Sequence, residues 1–418
     1  MNKTWVLHID GDGFFAYCES VRFPELRGKP VVVGVDRGIA CAMTYEAKML
    51  GITRGMPMYQ IKNQFPHVAR LTSHFELYGH YNRKLRDIVS PCVKDFETYS
   101  IDECFCTVSF PADITQDTLH TWLRMLKKEV QEQIGITYSF GIARTKVLAK
   151  IASKLQKPDG CTVIMPDQEH GILHTTPIET IWGIGRKLYR RLNLAGIRTA
   201  GDFVARGTAW VSASFAAPVQ ELWLELTGKR VFAVANSNAL HKSIQSTRSF
   251  TGTSTDPAFI TAEILHNLDI ACTRARSYSL ATNAVSIFLK TKERTYHGEH
   301  IPLPDYTMSP LDIATQIADA VQRIYKPHTK YRATGITLYN LRLTAYVQSD
   351  LFGNQSHTLE KSKVMHTVDA IRKKFGKHSI DTLGVLASTT ERQKRTDERE
   401  SLHPYVSGLP YPYLGDIV

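Results

Sequence analysis

Two carboxylates, Asp102 and Glu103, stand side by side inside a run that otherwise reads as a strand, Phe96 to Val108. Neighbouring residues of a regular strand point to opposite faces, so this pair shares one site only at a hairpin bend or a bulge. The run Trp5-Val6-Leu7-His8-Ile9-Asp10-Gly11-Asp12-Gly13 is another short apolar strand ending in carboxylates. A site fed by both strand ends holds three or four carboxylates and little basic charge. Such a cluster needs cations, and hard ions with oxygen ligands, Mg2+ or Mn2+, suit it best. Two such ions can clamp the attacking and leaving oxygens of an in-line phosphoryl displacement. Taken singly, either motif reads more simply as a solvated acidic turn.

The acidic cluster contrasts with the rest of the chain, which carries a net charge of +11 over 418 residues. An excess of basic charge favours a polyanionic partner such as nucleic acid. The length corresponds to roughly three domains, and the 43% hydrophobic content supports real cores. The seven cysteines show no Cys-x-x-Cys pair and no zinc spacing, which predicts a reducing, cytoplasmic setting. Cys104 and Cys106 alternate on one strand face and read as core. No signal peptide and no apolar run of membrane-spanning length is apparent, so no membrane partner is expected.

In chain order, Phe14 to Val21 reads as a helix beginning just after the first acidic strand, with free N–H groups at its start for a triphosphate. Phe14 and Phe15 flank the expected metal site, Phe14 reading more simply as core. Lys29 to Gly34 reads as a buried strand and Tyr45 to Leu50 as a helix on which Tyr45 and Lys48 lie one turn apart. Helices are expected over Met56 to Phe65, Phe75 to Val89, Thr118 to Ile134 and Lys146 to Leu155. Strands are expected over Ile136 to Ile142 and Cys161 to Met165, with a turn at Lys157-Pro158-Asp159-Gly160. This order implies an antiparallel or mixed sheet with helices on one face. Past Pro166, a helix–hairpin–helix spans Pro177 to Ala195, with Gly183 and Gly185 in the hairpin and Arg186, Lys187, Arg190 and Arg191 crowding the second helix. Glycines there let the backbone approach a phosphate.

After a linker near Gly228 to His241, a second mixed region begins at Lys242 to Phe250, which contains Arg248. Val285 to Arg294 reads as a strand with Lys290, Lys292 and Arg294 on one face, a stripe suited to a duplex backbone or to plain solvent. Helices near Ala262 to Tyr278 and Pro310 to Ile324 and a strand near Thr334 to Leu343 complete it. Gln348-Ser349-Asp350-Leu351-Phe352 has a Gln, a Leu and a Phe able to anchor in a partner's pocket. Thr390 to Glu400 is almost wholly polar and is expected to be mobile.

Taken together, these motifs resemble the Y-family, or lesion-bypass, DNA polymerases. The likeness rests on Asp10-Gly11-Asp12-Gly13-Phe14-Phe15-Ala16, Tyr45-Glu46-Ala47-Lys48, Ser100-Ile101-Asp102-Glu103, Lys146 to Lys154, Lys157-Pro158-Asp159-Gly160 and the hairpin at 183 to 185. It runs from residue 5 to about 345 and looks most like the DNA polymerase IV (DinB) branch, with a UmuC-like placement of Gln348 to Phe352.

The resemblance implies an α+β, multidomain right-hand architecture. The palm would be 1–13 and 74–166, with a mixed or antiparallel sheet. Small fingers would be 14–73, a helical thumb 167–235 and an α/β little finger 241–346, followed by a C-terminal segment, 347–418. It implies that Asp10, Asp102 and Glu103 are catalytic carboxylates that, with the Gly11 carbonyl, hold two Mg2+ ions. Phe14, Phe15, Tyr45, Lys48 and Lys157 become the nucleotide-binding candidates, Phe15 as the steric gate against a ribose 2′-hydroxyl and Tyr45, Lys48 and Lys157 as contacts to the triphosphate. Gly183, Gly185, Arg186, Lys187, Arg248, Lys290 and Lys292 are the DNA-binding candidates. Gln348, Leu351 and Phe352 become a sliding-clamp motif, and an accessory subunit of the UmuD type becomes a candidate partner. The expected activity is template-directed, low-fidelity addition of deoxynucleotides to a primer in translesion synthesis, without proofreading. The alternative is a catalytically weak DNA- and clamp-binding protein of the same fold. Two departures stand out: Lys48 replaces a common Arg, and Gly11 and Gly13 replace larger residues, which is expected to loosen the pocket.

Overall fold

The computed structural model describes residues 2–235, 240–346, 355–376 and 379–380. They divide into two compact units, one ending at 235 and the other beginning at 240. Each is described by itself.

The first unit is built on β1 (Asn2–Gly11). It begins with α1 (Phe14–Arg22), β2 (Val31–Val33), β3 (Ala42–Met43), α2 (Tyr45–Met49), α3 (Met58–Gln64) and β4 (Ala69–Leu71). Then come α4 (Phe75–Val89), β5 (Asp95–Thr98), β6 (Glu103–Pro111), α5 (Gln116–Ile134), β7 (Tyr138–Ala143), α6 (Lys146–Leu155) and β8 (Cys161–Val163). A five-stranded sheet has the order β5-β6-β1-β7-β8, and a three-stranded one has β3-β2-β4. β1 is antiparallel to both of its neighbours; β8 runs parallel to β7, and in the smaller sheet β2 runs parallel to β4.

Strand periodicity sorts the side chains of this central strand. Trp5, Leu7 and Ile9 join Cys104, Cys106 and Val108 of β6 in one core, closed by Tyr78, Tyr81 and Leu85 of α4 and Leu119, Leu123 and Leu126 of α5. Full burial of each large apolar side chain stabilises the fold by about 1.5–3 kcal/mol. The two cysteines are thus core, as their alternation predicts. Val6 of β1 and Phe105 of β6 go to the other face, where Val147, Leu148 and Ile151 of α6 cover them.

The expected strands and helices of this region are present, with ends shifted by a few residues. Phe75–Val89 and Lys146–Leu155 have the predicted bounds. Thr145 caps α6 by accepting the Leu148 N–H, a contact worth about 1 kcal/mol. Helix α6 also lies unusually close to β7. A Cβ on Gly141 would sit 2.3 Å from the Ser153 nitrogen and 2.4 Å from the Ala149 carbonyl oxygen, so only glycine permits this approach.

The remainder of the unit is helical: α7 (Glu169–Thr175), α8 (Arg186–Leu194), α9 (Ala200–Ala205), α10 (Gly207–Ser214) and α11 (Ala217–Leu226). The first arm of the expected helix–hairpin–helix is shorter than predicted, a single 3-10 turn over Ile178–Thr180. Pro177 at its edge takes part in a β-bridge to Thr199 instead.

The second unit contains β9 (Ile244–Ser254), α12 (Pro257–Ser277), β10 (Leu280–Thr291), β11 (Tyr296–Thr307), α13 (Pro310–Ile324), β12 (Tyr331–Tyr339), β13 (Arg342–Leu343) and α14 (Gln355–Phe375). Its main sheet is antiparallel, in the order β11-β10-β12-β9. Ile287 and Leu289 of β10 pack with Ile260, Ile264 and Leu268 of α12 and with Ile313 and Ile317 of α13. β11 and α14 have no counterpart in the sequence reading; Pro302 and Pro304 obscure the strand signal of β11.

Candidate active site

The ladder sets Asp10 of β1 directly opposite Glu103 of β6. Directly opposed residues of an antiparallel pair share a face, so these two carboxylates come from remote sequence to one place. Asp102 precedes the strand, in the bend that the doublet required. The bend is closed by the Tyr99 and Ser100 N–H groups, both donating to the Glu103 carbonyl at 3.0 Å. Asn82 of α4 holds it from outside by donating to the Ile101 carbonyl at 2.9 Å. The Gly11 N–H donates to the Asp102 carbonyl at 2.9 Å, and Ser100 donates to the Asp102 carboxylate at 2.5 Å. Burial, followed by the charges of Asp10 and Glu103, pushes the Asp102 carboxyl above its ordinary value despite the bond from Ser100.

Glu103 behaves in the opposite way. Burial works against its charge, but hydrogen bonds and charge from His8 and Lys150 outweigh that and hold its carboxyl at about 2. His8 Nε2 lies 2.6 Å from Glu103 Oε1, and Lys150 forms an ion pair with the same oxygen.

Asp12 takes a different role from its neighbours. It is fully buried and accepts hydrogen bonds from Ser139 Oγ and from the Asp159 N–H, both at 2.8 Å. It therefore anchors the turn that carries Lys157. The Lys157 ammonium reaches Asp10 at 2.9 Å and Asp12 at 3.7 Å. Opposite it, the Lys48 ammonium stacks over the Tyr45 ring at 3.9 Å. Partial burial lowers the Lys48 pKa, the nearby charge of Lys157 lowers it further, and Asp12 and Asp10 counter this. Burial raises the Tyr45 phenol to about 12, with Asp12 and Asp10 adding to the rise. Tyr45, Lys48 and Lys157, the residues expected to contact a triphosphate, thus lie within electrostatic reach of Asp10 and Asp12.

The two phenylalanines separate. Phe14 is core, 3% exposed and packed among the rings of Tyr78 and Tyr138, which corrects its placement among the nucleotide-contacting residues. Phe15 is half-buried and stacks flat on Tyr78, with ring centres 4.2 Å apart. The glycine departures do not open the pocket in the expected way. A Cβ on Gly11 would meet the Phe14 ring at 2.9 Å, and one on Gly13 would lie 2.7 Å from the Met43 carbonyl oxygen. Both spaces are already filled by neighbours.

The basic candidates are more dispersed. Gly183 has φ +94°, and Gly185 caps α8, whose first residues Arg186 and Lys187 are exposed. In the second unit β10 ends at Thr291, so the predicted three-residue stripe does not form. Lys290 lies on the strand, with its ammonium 4.7 Å from the Tyr296 ring centre. Lys292 and Arg294 fall in the tight turn that follows, where Arg294 has φ +70°. Arg248 of β9 lies 3.9 Å from the Glu263 carboxylate of α12. Gln348, Leu351 and Phe352 lie outside the described residues, as does the polar stretch from Thr390 to Glu400.

Sequence reasoning did not single out His8, Ser153, Lys150 or Ser139. Their polar character inside apolar runs was the available signal, but their partners lie far away in sequence.

The donor set fits a divalent ion chemically. Asp10 faces Glu103 beside the bend that carries Asp102, burial and like charge disfavour the ionised form of Asp102, and lysine ammoniums pair with the other two. Hard oxygen donors with excess negative charge suit Mg2+ or Mn2+. Among the described residues no three His, Cys, Asp or Glu side chains are gathered closely enough to enclose an ion.

Residues 9–154 match the impB/mucB/samB family, and residues 241–351 match that family's C-terminal domain. The chain belongs to this family, the Y-family DNA polymerases of the DinB/UmuC type, and is a DNA-directed DNA polymerase of the lesion-bypass kind. Among its relatives is DNA polymerase IV of Methanoculleus marisnigri, 32% identical over 73% of this chain and 86% of that protein. Protein UmuC of Salmonella typhimurium is 28% identical over 94% of this chain and 96% of its own length. In fold, the chain is similar to a Y-family DNA polymerase chimera, with a TM-score of 0.68 and 23% identity over 81% of this chain and 99% of that one. DinB from Sulfolobus solfataricus gives a TM-score of 0.53 at 23% identity, over 81% and 99% of the two chains. The right-hand polymerase fold expected from the sequence is therefore the fold of this molecule. Among the described residues no helix is long and apolar enough to cross a membrane.

Proposed function

We propose that this polymerase adds deoxynucleotides to a primer 3′-end by two-metal phosphoryl transfer at the Asp10–Asp102–Glu103 cluster. The observation that carries the reading is the in-register pairing of Asp10 with Glu103, with Asp102 tied to Gly11 in the adjoining bend. Asp10, Asp102 and the Gly11 carbonyl would hold the ion at the triphosphate, and Asp10, Asp102 and Glu103 the ion at the primer end. Bound there, Mg2+ would lower the pKa of the primer hydroxyl and balance charge on the departing pyrophosphate. Lys157 and Lys48 supply the matching positive charge from the protein, Lys157 exchanging Asp10 for phosphate oxygens. Asp12, Ser139 and the Asp159 N–H keep the Lys157 turn in place throughout. Phe15, fixed against Tyr78, occupies the space of a ribose 2′-hydroxyl. Arg186 and Lys187, near the Gly183–Gly185 hairpin, and Lys290, Lys292 and Arg248 neutralise duplex phosphates.

The palm is assigned to 1–13 and 74–166, the fingers to 14–73, the thumb to 167–235 and the little finger to 241–346. The five-stranded sheet, the three-stranded sheet, helices α7 to α11 and the second unit support these divisions in turn. Low fidelity without proofreading, a sliding clamp engaged by Gln348, Leu351 and Phe352, a UmuD-type accessory subunit and a cytoplasmic location complete the reading.

Primer extension by the purified full chain with Mg2+ or Mn2+ tests it. Template-directed extension that Asp102→Ala removes supports the mechanism. Tight primer–template binding without extension would favour the rival, a binding protein of the same fold. Replacing Gln348, Leu351 and Phe352 by Ala should remove clamp stimulation and spare basal synthesis; equal stimulation would refute the clamp motif.

A further inference from the structure

We propose that His8 is a positioning residue for Glu103, holding one oxygen of that carboxylate from inside the protein so that the other stays available to the primer side. The inference rests on the function proposed above and extends it to residues that no part of that reading uses.

Four side chains from three elements close a ring. Ser153 Oγ of α6 lies 2.7 Å from His8 Nδ1, and His8 Nε2 lies 2.6 Å from Glu103 Oε1. The same Oε1 pairs with Lys150, which returns the ring to α6 one turn before Ser153. His8 and Ser153 are buried, at 0% and 1% exposure. Neither reaches DNA or nucleotide, so any effect they have on the reaction passes through Glu103.

Hydrogen-bond chemistry assigns the direction. An ionised carboxylate only accepts, so the His8 hydrogen sits on Nε2. A neutral ring then offers its Nδ1 lone pair, and the Ser153 hydroxyl donates to it in preference to the Lys150 carbonyl at 3.1 Å. Glu103 Oε2 carries no hydrogen bond within the described residues. One oxygen is thus fixed and one is left over.

The ring depends on two unusual placements. Gly141 is the residue opposite His8 in the β1–β7 ladder, and its missing side chain is what lets α6 bring Ser153 close. Lys150 is confined on its other sides by aromatic rings, with Tyr99 at 4.9 Å, Trp182 at 5.5 Å and Phe105 at 6.0 Å. Trp182 in turn donates its indole N–H to the Tyr99 hydroxyl at 2.9 Å. The lysine is therefore held at Oε1 and not free to sweep across the site.

Single-nucleotide insertion by His8→Leu, His8→Gln and Ser153→Ala tests the assignment, with Asp102→Ala as the control for the underlying mechanism. Because partners that orient a liganding group typically contribute 10–100-fold, His8→Leu should lower kcat by about 30-fold and leave KM for the nucleotide within about twofold. His8→Gln, whose amide can donate in place of Nε2, should recover all but about threefold of that loss. In a Glu103→Gln background, His8→Leu should cost nothing further. Mn2+ binding to the complex with a dideoxy-terminated primer, followed by electron paramagnetic resonance, should weaken by about tenfold in His8→Leu. An unchanged kcat in folded His8→Leu, a Gln variant as poor as Leu, or full additivity with Glu103→Gln would overturn the proposal. If His8→Leu does not fold, Ser153→Ala decides: a drop of about fivefold in kcat at constant KM supports the ring, and an unchanged kcat overturns it. Failure of the parent to extend, or survival of Asp102→Ala, would instead indict the metal-site mechanism.

Discussion

The two large sheets of this chain treat charge differently. In the five-stranded sheet of the first unit, ionisable groups sit on a face that α6 partly covers, and each has a defined partner. His8 and Glu103 are buried there, and Lys150 is largely so. In the four-stranded sheet of the second unit, the covered face is mainly apolar, with Ile287 and Leu289 inward and Ser246 hydrogen-bonded to Asn267 of α12. Its lysines lie at a strand end and in a turn. The lesson is about what burial does to a charge. A desolvated carboxylate must find its neighbours at hydrogen-bond distance, and a strand register can fix those neighbours one by one. A solvated lysine meets no such demand and adds only to a field.

The first sheet should therefore be sensitive to single atoms and the second to ionic strength. Asp102→Ala gives the largest expected effect: extension should fall by about a thousandfold or more while primer–template affinity stays within about twofold. Asp102→Asn should be equally inactive yet raise Tm, because burial and neighbouring charge already disfavour the ionised form. A lower Tm for Asp102→Asn would break the account of that carboxylate. Phe15→Ala comes next, and should weaken discrimination against ribonucleotides by about a hundredfold in kcat/KM. Unchanged sugar selectivity would remove the gate role from the ring.

The pH response of Glu103 is a smaller effect with a definite sign. Its carboxyl is held at about 2 in the fold, below the unfolded value of about 4.3. The stability it contributes is present above about 4.3 and lost as pH falls through about 2. The Tm difference between the parent and Glu103→Gln should accordingly shrink across that window, and a constant difference would contradict the His8–Lys150 grip. The smallest effect belongs to Lys290→Ala. It should lower the slope of log affinity against log salt by about one and leave kcat unaltered, the signature of one lost phosphate contact. A larger loss at Lys290 than at Asp102 would invert the comparison between the sheets.

Part of this was legible in the sequence because the signal was local. The doublet Asp102-Glu103 demanded a bend, and the bend is there. The spacing of Cys104 and Cys106 placed both in the core. Apolar periodicity gave α4, α6 and α13 their bounds. Other expectations failed where a local pattern competed with another device. Lys290, Lys292 and Arg294 keep strand spacing, but the chain turns after Thr291 and the alternation ends with it. Phe14 and Phe15 are adjacent and alike, and only the helix phase sends one into the core and leaves the other at the pocket. Gly11 and Gly13 read as freedom, whereas close approach by Phe14 and Met43 makes them filled space.

By itself, the sequence determined the kinds of group available: acidic strand ends, a basic balance, a turn at Lys157 and the order of strands and helices. Those properties belong to residues and their near neighbours, and spacing alone carries them. Tertiary structure alone decided that Asp10 faces Glu103, that Asp12 serves the Lys157 turn and that His8 meets Ser153 and Glu103. Each of these pairings joins residues about a hundred positions apart or more, through strand register and the close seat of α6 on Gly141. Such contacts exist only once water has been excluded between two packed surfaces, and no local spacing along the chain encodes that event.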